Sequence, residues 1–588
     1  MSKLYSAPEV ASQLAIELDT LYRYARAGDL RGLKIGKLWR FTEADVQEFI
    51  HSRRYLVYPK SNCSMLLSHI LREIAQRPRE QGSITCRTTR ISYAEIDFLS
   101  DRLAAALVRR GIGPGSRVVM VLPNSVEFVI ACFAIWKVRA IVVPEDTTIR
   151  PNNFRHILEE TQPAAVIMDS NLAVQLEGMH GALDCVKVIF LKDCAFALST
   201  LAGIAVESLD AVLQCGARAT ALPTGARPDE VVSINYTSGS TGAPKGVMHT
   251  HESWLAGATF TRDYLEISAK DKIVVPLPLH HAYAFRQILA YLLTGGSVVI
   301  AADIYSALRL ITEERPTALL LVPAACNILI DHFASVLRKA DSILRYVEIG
   351  SGAMTPEGLN SLKGLLPDVQ LYLSYGLTEA RVGFLKPGPD GLLNKIASYS
   401  PGLQLQVVDS QDQPVAQGQT GEIVLKGRGL MKGYWGDPPA AQERLRSRGL
   451  RTGDMGRVEC GGEVALLGRL DDVLKVAGHK ISPLEVERTL NRHPAVRESV
   501  VLGLPDPGGI MEQELHAFVV LRTDAASSAS ELLAHCRQSL EPHKVPARIH
   551  LRASLPKSPL GKVQRQLLIP EDSTNFGPSE GNCHAGSH

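Results

Sequence analysis

The stretch Val231-Val-Ser-Ile-Asn-Tyr-Thr-Ser-Gly-Ser-Thr-Gly-Ala-Pro-Lys-Gly246 decides how this chain is read. Val231 to Tyr236 has the β-branched and aromatic make-up of a strand. The run from Thr237 to Gly246 then supplies glycines that let the backbone turn, so that successive N–H groups converge on an anion. Thr237, Ser238, Ser240 and Thr241 add hydroxyl donors, and Lys245 adds positive charge against a polyphosphate. A flexible Gly/Ser linker would neither follow a buried strand nor run through Pro-Lys-Gly into another apolar stretch. The loop is therefore read as phosphate-binding. Its spacing is not that of the G-x-x-x-x-G-K-[ST] loop.

Outward from this loop the chain alternates strands and helices. Tyr93–Val108 has helical periodicity, which Gly111-Ile-Gly-Pro-Gly115 breaks. Val118–Leu122 reads as a strand, Val126–Val138 as a helix and Ala140–Val143 as a strand. That order predicts an α/β fold with a largely parallel sheet. Residues 55–80 read as a linker plus an entry helix. Gly216 to Pro228, rich in Gly, Ala, Pro and Thr, suggests a subdomain boundary.

The whole chain has 588 residues, too many for one core, so several domains are expected. Its 45% hydrophobic and 21% charged residues are ordinary for a globular protein, and a net charge of +2 selects no partner. The first twenty residues lack an apolar core run and a small-residue cleavage site, so no signal peptide is expected. Apolar runs such as Ala318 to Val322 are short and end at a proline, which predicts buried strands rather than membrane spans. Ten scattered cysteines with no CxxC pair predict free thiols in a cytoplasmic protein.

The N-terminal segment is a separate unit. Ser6-x-x-Glu9 and Thr42-x-x-Asp45 have the form of capping boxes that start helices. Val10 and Leu14 face inward from the first helix, and Leu18, Leu21 and Ala25 from a second that Gly28 can stop. Leu33-Lys-Ile35 and Trp39-Arg-Phe41 alternate about Gly36-Lys37, as a hairpin does. Val46, Phe49 and Ile50 form the inner face of the last helix. EVASQLAIELDTLYRYARAGDLRGLKIGKLWRF resembles the excisionase/MerR-type winged helix-turn-helix. That resemblance implies DNA contacts from Thr20, Tyr22, Arg23 and Arg26, with Lys34, Lys37 and Arg40 on the wing. Acidic residues nearly balance the basic ones here, and phosphate attraction needs clustered positive charge. Protein contact or dimerisation is the other reading.

YTSGSTGAPKGVMHTH resembles the signature loop of the adenylate-forming superfamily, which contains acyl- and aryl-CoA synthetases, nonribosomal adenylation domains and beetle luciferases. Further motifs follow in order, so the resemblance covers roughly residues 65–568. It implies a large two-subdomain α/β adenylation domain over 55–467 and a small mobile α+β lid over 468–568. The winged helix-turn-helix would occupy 1–54 and a disordered tail 569–588.

The resemblance also assigns residues. Thr237, Ser238, Gly239, Ser240, Thr241, Gly242 and Lys245 would hold ATP phosphates. His281 of PLHHAY would line the acyl pocket near the thiol entrance. Gly352 and Ala353 would let adenine lie flat. In Tyr375-Gly376-Leu-Thr378-Glu379 the tyrosine would flank adenine, Thr378 would touch the α-phosphate and Glu379 would hold magnesium. The last role fits a hard cation that takes one or two carboxylates plus phosphates. Asp454 of Thr452-Gly-Asp would accept the ribose hydroxyls. Arg469 would contact ribose or phosphate, Asp471 would be the hinge, and Gly478 and His479 would border the thiol tunnel. Lys480 stands where the family often has Arg, keeping charge without a bidentate fork. Lys562 would be the catalytic lysine of adenylation.

The resemblance thus implies an ATP-dependent enzyme that makes an acyl-adenylate from a carboxylic acid and passes the acyl group to CoA. A carrier-protein phosphopantetheine is the alternative acceptor. A DNA-binding regulator with a sensing domain and a luciferase-like oxidase are the competing classes. Two segments depart from the pattern: Asn394-Lys-Ile-Ala-Ser-Tyr-Ser-Pro replaces a Gly-rich segment, and Pro144-Glu-Asp replaces Pro-Leu-Asp.

Overall fold

The computed structural model describes residues 4–13, 21–22, 25, 32–35, 38–42, 45–46, 65–75, 82–179, 181–194, 200–217, 222–237, 244–352, 354, 356–387, 393–400, 402–436, 444–446, 448–459, 463–470, 474–476, 479–481, 483–504, 513–522, 525–557 and 563–568. Strand Arg117–Val121 shows how its layers arise. Val118 and Met120 join the core that contains helix Val126–Lys137, whereas Val119 and Val121 join a second core on the opposite face. Successive residues of a strand point to opposite faces, and a run that is apolar on both belongs in a sheet covered on both sides. Ile141–Pro144, Ala165–Asp169, Val188–Lys192 and Ile204–Ser208 pair in parallel around it. Past Ile141–Pro144 the sheet takes in Val231–Thr237, then turns antiparallel through Lys245–Thr250 to Gly433–Tyr434.

A second sheet carries six parallel strands among the described residues: Ser83–Cys86, Ser297–Ile300, Lys272–Val275, Ala318–Leu321, Tyr346–Ile349 and Gln370–Leu377. It continues antiparallel through Ala380–Pro387, Leu393–Tyr399, Val464–Arg469, Gly449–Val458, Thr420–Gly427 and Leu403–Val408. Helices Val126–Lys137 and Ala282–Thr294 lie in the core shared by the two sheets. Both are buried nearly all round. Buried Lys137 of the first helix is held by Asp97 at 2.6 Å and Asp101 at 2.7 Å, which offsets the cost of burying its charge.

The C-terminal part has its own core. Helices Pro483–Asn491 and Ala529–Ser539 cover strands Val496–Leu504, Glu514–Leu521 and Arg548–Leu551 through Val486, Leu490, Val501, Ala517 and Leu532. Arg497 reaches Asp331 of the large domain at 3.5 Å. The N-terminal module has helix Ala7–Gln13 and the hairpin Leu33–Ile35/Leu38–Thr42, to which Leu4–Ser6 adds a strand not read from the sequence. Both capping boxes form: Ser6 N donates to Glu9 Oε2 at 2.7 Å and Thr42 N to Asp45 Oδ2 at 2.9 Å. Val10, Leu21, Ala25, Phe41 and Val46 make its core. Leu14, Leu18, Phe49 and Ile50 lie outside the described residues.

One expectation is corrected. Gly216 to Pro228 does not separate sheets, because Ile204–Ser208 before it and Val231–Thr237 after it belong to the same one. Turn-forming composition reports only that the chain changes direction there.

Candidate active site

The phosphate-type loop closes an antiparallel hairpin. Val231–Thr237 pairs with Lys245–Thr250, and Thr237 stands opposite Lys245. Both residues are half-buried. Gly246 has no room for a side chain, since a Cβ there would lie 2.7 Å from Ile234 Cγ2. Ser238, Gly239, Ser240, Thr241 and Gly242 lie outside the described residues.

A second hairpin brings Thr378 and Glu379 to the same place. Gln370–Leu377 and Ala380–Pro387 pair with Leu377 opposite Ala380, which leaves Thr378 and Glu379 as the turn. The segment Met431–Trp435 ties the two hairpins together. Met431 N donates to Glu379 O at 2.8 Å, Lys432 N to Met248 O at 2.8 Å and Trp435 N to Gly246 O at 2.7 Å. Nothing in the sequence reading pointed to this strap, whose partners are about 50 and 185 residues away along the chain.

Glu379 is buried. Its Oε1 accepts from the Tyr434 hydroxyl at 2.7 Å and from Arg444 Nη1 at 2.9 Å. No described residue donates to Oε2. That oxygen fits a single hard-cation ligand whose remaining positions come from phosphates and water. No group of three or more His, Cys, Asp or Glu among the described residues could hold a metal unaided.

Arg444 also donates to Thr452 O at 2.9 Å, which links Glu379 to Thr452-Gly453-Asp454. The Thr452 hydroxyl bonds Ile423 O at 2.8 Å and receives Asp454 N at 3.0 Å. Gly453 has φ +74°, and a Cβ there would lie 2.8 Å from Arg469 Nη2, so the turn requires glycine. Asp454 is 5% exposed. It accepts from the Tyr375 hydroxyl at 2.5 Å and from Arg469 Nη1 at 3.1 Å. Burial pushes its carboxyl up, against the opposing effect of those two donors. The structure thus joins Tyr375, Asp454, Arg469 and Glu379 in one network, with Tyr434 and Arg444 as members that the sequence reading missed.

His281 caps the helix Ala282–Thr294 and is half-buried, its ring 4.0 Å from that of His280. Gly376 is exposed at a register shift beside Tyr375, and Gly352 is exposed after Ser351, whose φ is +63°. Lys562, Ala353, Asp471 and Gly478 lie outside the described residues. So do the side chains of His479 and Lys480, whose backbone forms a hairpin opposite Val476 and Lys475. Of the candidate DNA contacts, Thr20, Arg23, Arg26, Lys37 and the Lys34 side chain are also outside. A DNA contact needs an exposed side chain, and Tyr22 is instead half-buried against the module's core. Arg40 Nη1 donates to Trp39 O at 3.0 Å.

The departures from the family pattern have structural counterparts. Glu145 is buried with Oε1 unpartnered, and burial pushes its carboxyl up to about 8. Asn394 and Ser400 likewise bury polar atoms without partners.

The strapped glycine-containing hairpin, the buried turn carboxylate of Glu379 and Asp454 with its Tyr and Arg partners thus lie together. The chain belongs to the AMP-binding enzyme family, whose model matches residues 71–435. The C-terminal domain model of AMP-binding enzymes matches 485–562, and a helix-turn-helix domain model matches 4–54. Feruloyl-CoA synthase of an Amycolatopsis species is 32% identical over 483 residues, which is 81% of this chain and 92% of that protein. The long-chain-fatty-acid–CoA ligase FadD13 of Mycobacterium tuberculosis is 28% identical over 498 residues, 84% and 95% of the two chains. A benzoate CoA ligase structure from Burkholderia xenovorans LB400 superposes with a TM-score of 0.74 at 24% identity, covering 86% of this chain and 99% of that one. At that identity it shows the fold alone. No described helix is long and apolar enough to cross a membrane.

Proposed function

We propose that this chain is an AMP-forming acid–CoA ligase with ATP, a carboxylic acid and CoA as substrates. The observation that carries the reading is the strap Met431–Trp435, which sets the phosphate hairpin beside Glu379 and, through Arg444, beside Asp454. In the first step the substrate carboxylate attacks the α-phosphorus of ATP, forming the acyl–phosphate bond and releasing pyrophosphate. Thr237, Lys245 and the loop between them hold the phosphates, and Thr378 faces the α-phosphate. Asp454 takes the ribose hydroxyls in exchange for the Tyr375 hydroxyl, and Tyr375 flanks adenine. A Mg²⁺ ion held by Glu379 Oε2 and the phosphates would neutralise charge on the leaving group. Lys562 brings one ammonium to the reacting oxygens. In the second step the thiol attacks the acyl carbon, enters past Gly478 and His479, and displaces AMP after the small domain turns about Asp471.

ATP–pyrophosphate exchange with a panel of acids, followed by CoA addition to each positive, tests this reading. Exchange with a new CoA thioester is expected. Exchange without transfer to CoA would replace CoA by a carrier protein, and no exchange with any acid would sink the enzyme reading. Lys562→Ala should lower exchange by orders of magnitude and spare thioester formation from supplied acyl-AMP. Persistence of both half-reactions would remove Lys562 from its role.

The helix-turn-helix match over 4–54 favours a second reading for that module alone, contact with duplex DNA. Binding whose affinity falls steeply with salt is the expected sign. Failure to bind any DNA across salt concentrations would leave protein contact or dimerisation.

A further inference from the structure

Past His281 along the helix Ala282–Thr294 lies a set of buried charges to which the proposed adenylation steps give no role. Arg286 is 4% exposed, Arg381 3% and Glu348 0%. Two buried guanidiniums therefore share one buried carboxylate. Arg381 is fully partnered: it donates to Glu348 Oε1 at 3.3 Å, to Gly383 O at 3.2 Å and to the Thr261 hydroxyl at 3.3 Å. Glu348 Oε2 receives Gln287 Nε2 at 2.5 Å. Arg286 has none of this. Its Nε is buried without a partner, and its guanidinium makes no hydrogen bond among the described residues. Its contact is the face of Trp254, 5.3 Å from the ring centroid. His249 beside it is buried and held neutral, far below its ordinary range at about 3, chiefly by burial with Arg286 adding to the effect. Nothing described balances the second positive charge.

The fold makes room for this arrangement deliberately. A Cβ on Gly257 would meet Arg286 Cδ and Nε at 2.8 Å and Arg381 Cβ at 3.1 Å. The cluster also adjoins the reacting centre. Tyr283, Arg286 and Gln287 share one face of the helix that starts at His281, at spacings of three and four. Arg381 follows the Thr378–Glu379 turn by two residues, and its Nη1 contacts Tyr375 O at 3.4 Å. The Tyr283 hydroxyl is buried beside Glu348 and Ser374 without a well-formed hydrogen bond. A buried cation without a hydrogen-bond partner, next to the unsatisfied Tyr283 hydroxyl, is a receiver for an anion, because a charge left alone in the interior is unfavourable until something pairs it.

We propose that the acid activated here carries a second carboxylate, and that Arg286 receives it while the first carboxylate reacts. This deepens the ligase reading and rests on it. Arg286 lies five residues into the helix from His281, roughly 7 Å along the axis at 1.5 Å per residue. The two carboxylates are therefore joined by a short spacer, a few methylenes or one aromatic ring. A long alkyl tail would be driven against an unpaired guanidinium. This separates the chain from relatives named for long-chain fatty acids and accounts for polar groups where those substrates need an apolar slot. Arg286 is a specificity-determining residue, and Glu348 and Arg381 position it by fixing the charge around it.

The test uses matched acids in ATP–pyrophosphate exchange and thioester formation: butanoate against pentanedioate, and benzoate against the three benzenedicarboxylates. The wild-type chain should prefer a diacid over its monoacid partner by at least tenfold in kcat/KM. Arg286→Met should abolish or invert that preference, mainly through KM for the diacid, and leave KM for ATP unchanged. Wild-type preference for the monoacids, with exchange intact, would overturn the proposal and leave the ligase reading standing. An Arg286→Met protein that still prefers diacids would overturn it as well. Exchange with neither kind of acid would take down the ligase reading and this proposal together. Should Arg286→Met fail to fold, the wild-type ranking decides alone.

Discussion

Two guanidinium–carboxylate networks with buried carboxylates differ in burial and in balance: Arg444 and Arg469 are partly exposed, whereas Arg381 and Arg286 are buried. On the nucleotide side Glu379 is matched by Arg444 and Asp454 by Arg469, one cation to each anion. On the acyl side Glu348 is matched by Arg381, and Arg286 is left over. The first network is charge-balanced as it stands, and in the proposed reading ribose takes Asp454 in exchange for the Tyr375 hydroxyl. The unbalanced one is complete only when an anion is present. On the proposed function, the first side takes a nucleotide with its magnesium and the second takes a ligand that supplies the missing charge itself.

Breaking the acyl-side pair should have the largest effect. Glu348→Gln leaves two buried guanidiniums unpaired, and loss of one partner of a buried pair costs about 3–5 kcal/mol. Urea unfolding should show that loss, whereas Arg286→Met, which removes the surplus charge, should be neutral or stabilising. Equal destabilisation by both would mean that the two arginines are not unequal after all. Next comes Asp454→Asn on the balanced side, which weakens charge-assisted bonds worth about 1.5–3 kcal/mol each. KM for ATP should rise about tenfold to a hundredfold, with diacid preference unchanged.

A pH scan sharpens the contrast. His249 titrates near 3 in the folded chain, against an ordinary value of 6.5. The unfolded chain therefore takes the proton first. Stability is full above about 6.5 and is lost as pH falls toward 3, by at most about 1.4 kcal/mol per unit. His249→Gln should flatten that slope; an unchanged slope would assign the acid sensitivity to other groups. The smallest effect is expected from Arg444→Gln. With its cation gone, Glu379 should bind magnesium more readily, lowering the concentration for half-maximal exchange a few-fold. A rise instead would show that Arg444 positions the carboxylate rather than competing for it.

What was legible in the sequence follows from distance along the chain. The helix Tyr93–Arg109, the strand Val231–Thr237 and both capping boxes rest on neighbours a few residues apart, and these were readable. The phosphate hairpin and the Thr378–Glu379 turn were readable as motifs. The strap was not, because Gly433-Tyr434 is only two residues of strand in a glycine-rich run. The acyl-side cluster shows why composition cannot see a site. Tyr283, Arg286 and Gln287 advertise a polar helical face, which for an exposed helix would mean solvent. Only the covering of that helix by two sheets, and the arrival of Glu348 and Arg381 from distant strands, turns the same residues into a buried surplus of charge. The Gly216–Pro228 stretch failed in the opposite direction, since a local break in pattern carried no information about which sheet comes next.

The strap Met431–Trp435 has a mechanical consequence. Its backbone is bonded at one end to the turn that bears Glu379 and at the other to the hairpin that bears Lys245. If the two sheets slide against each other, both groups are dragged along by the same five residues, and the gap between them stays nearly constant. The spacing of Lys245 and Glu379 is therefore gauged by three backbone hydrogen bonds rather than by how well two large layers happen to stack.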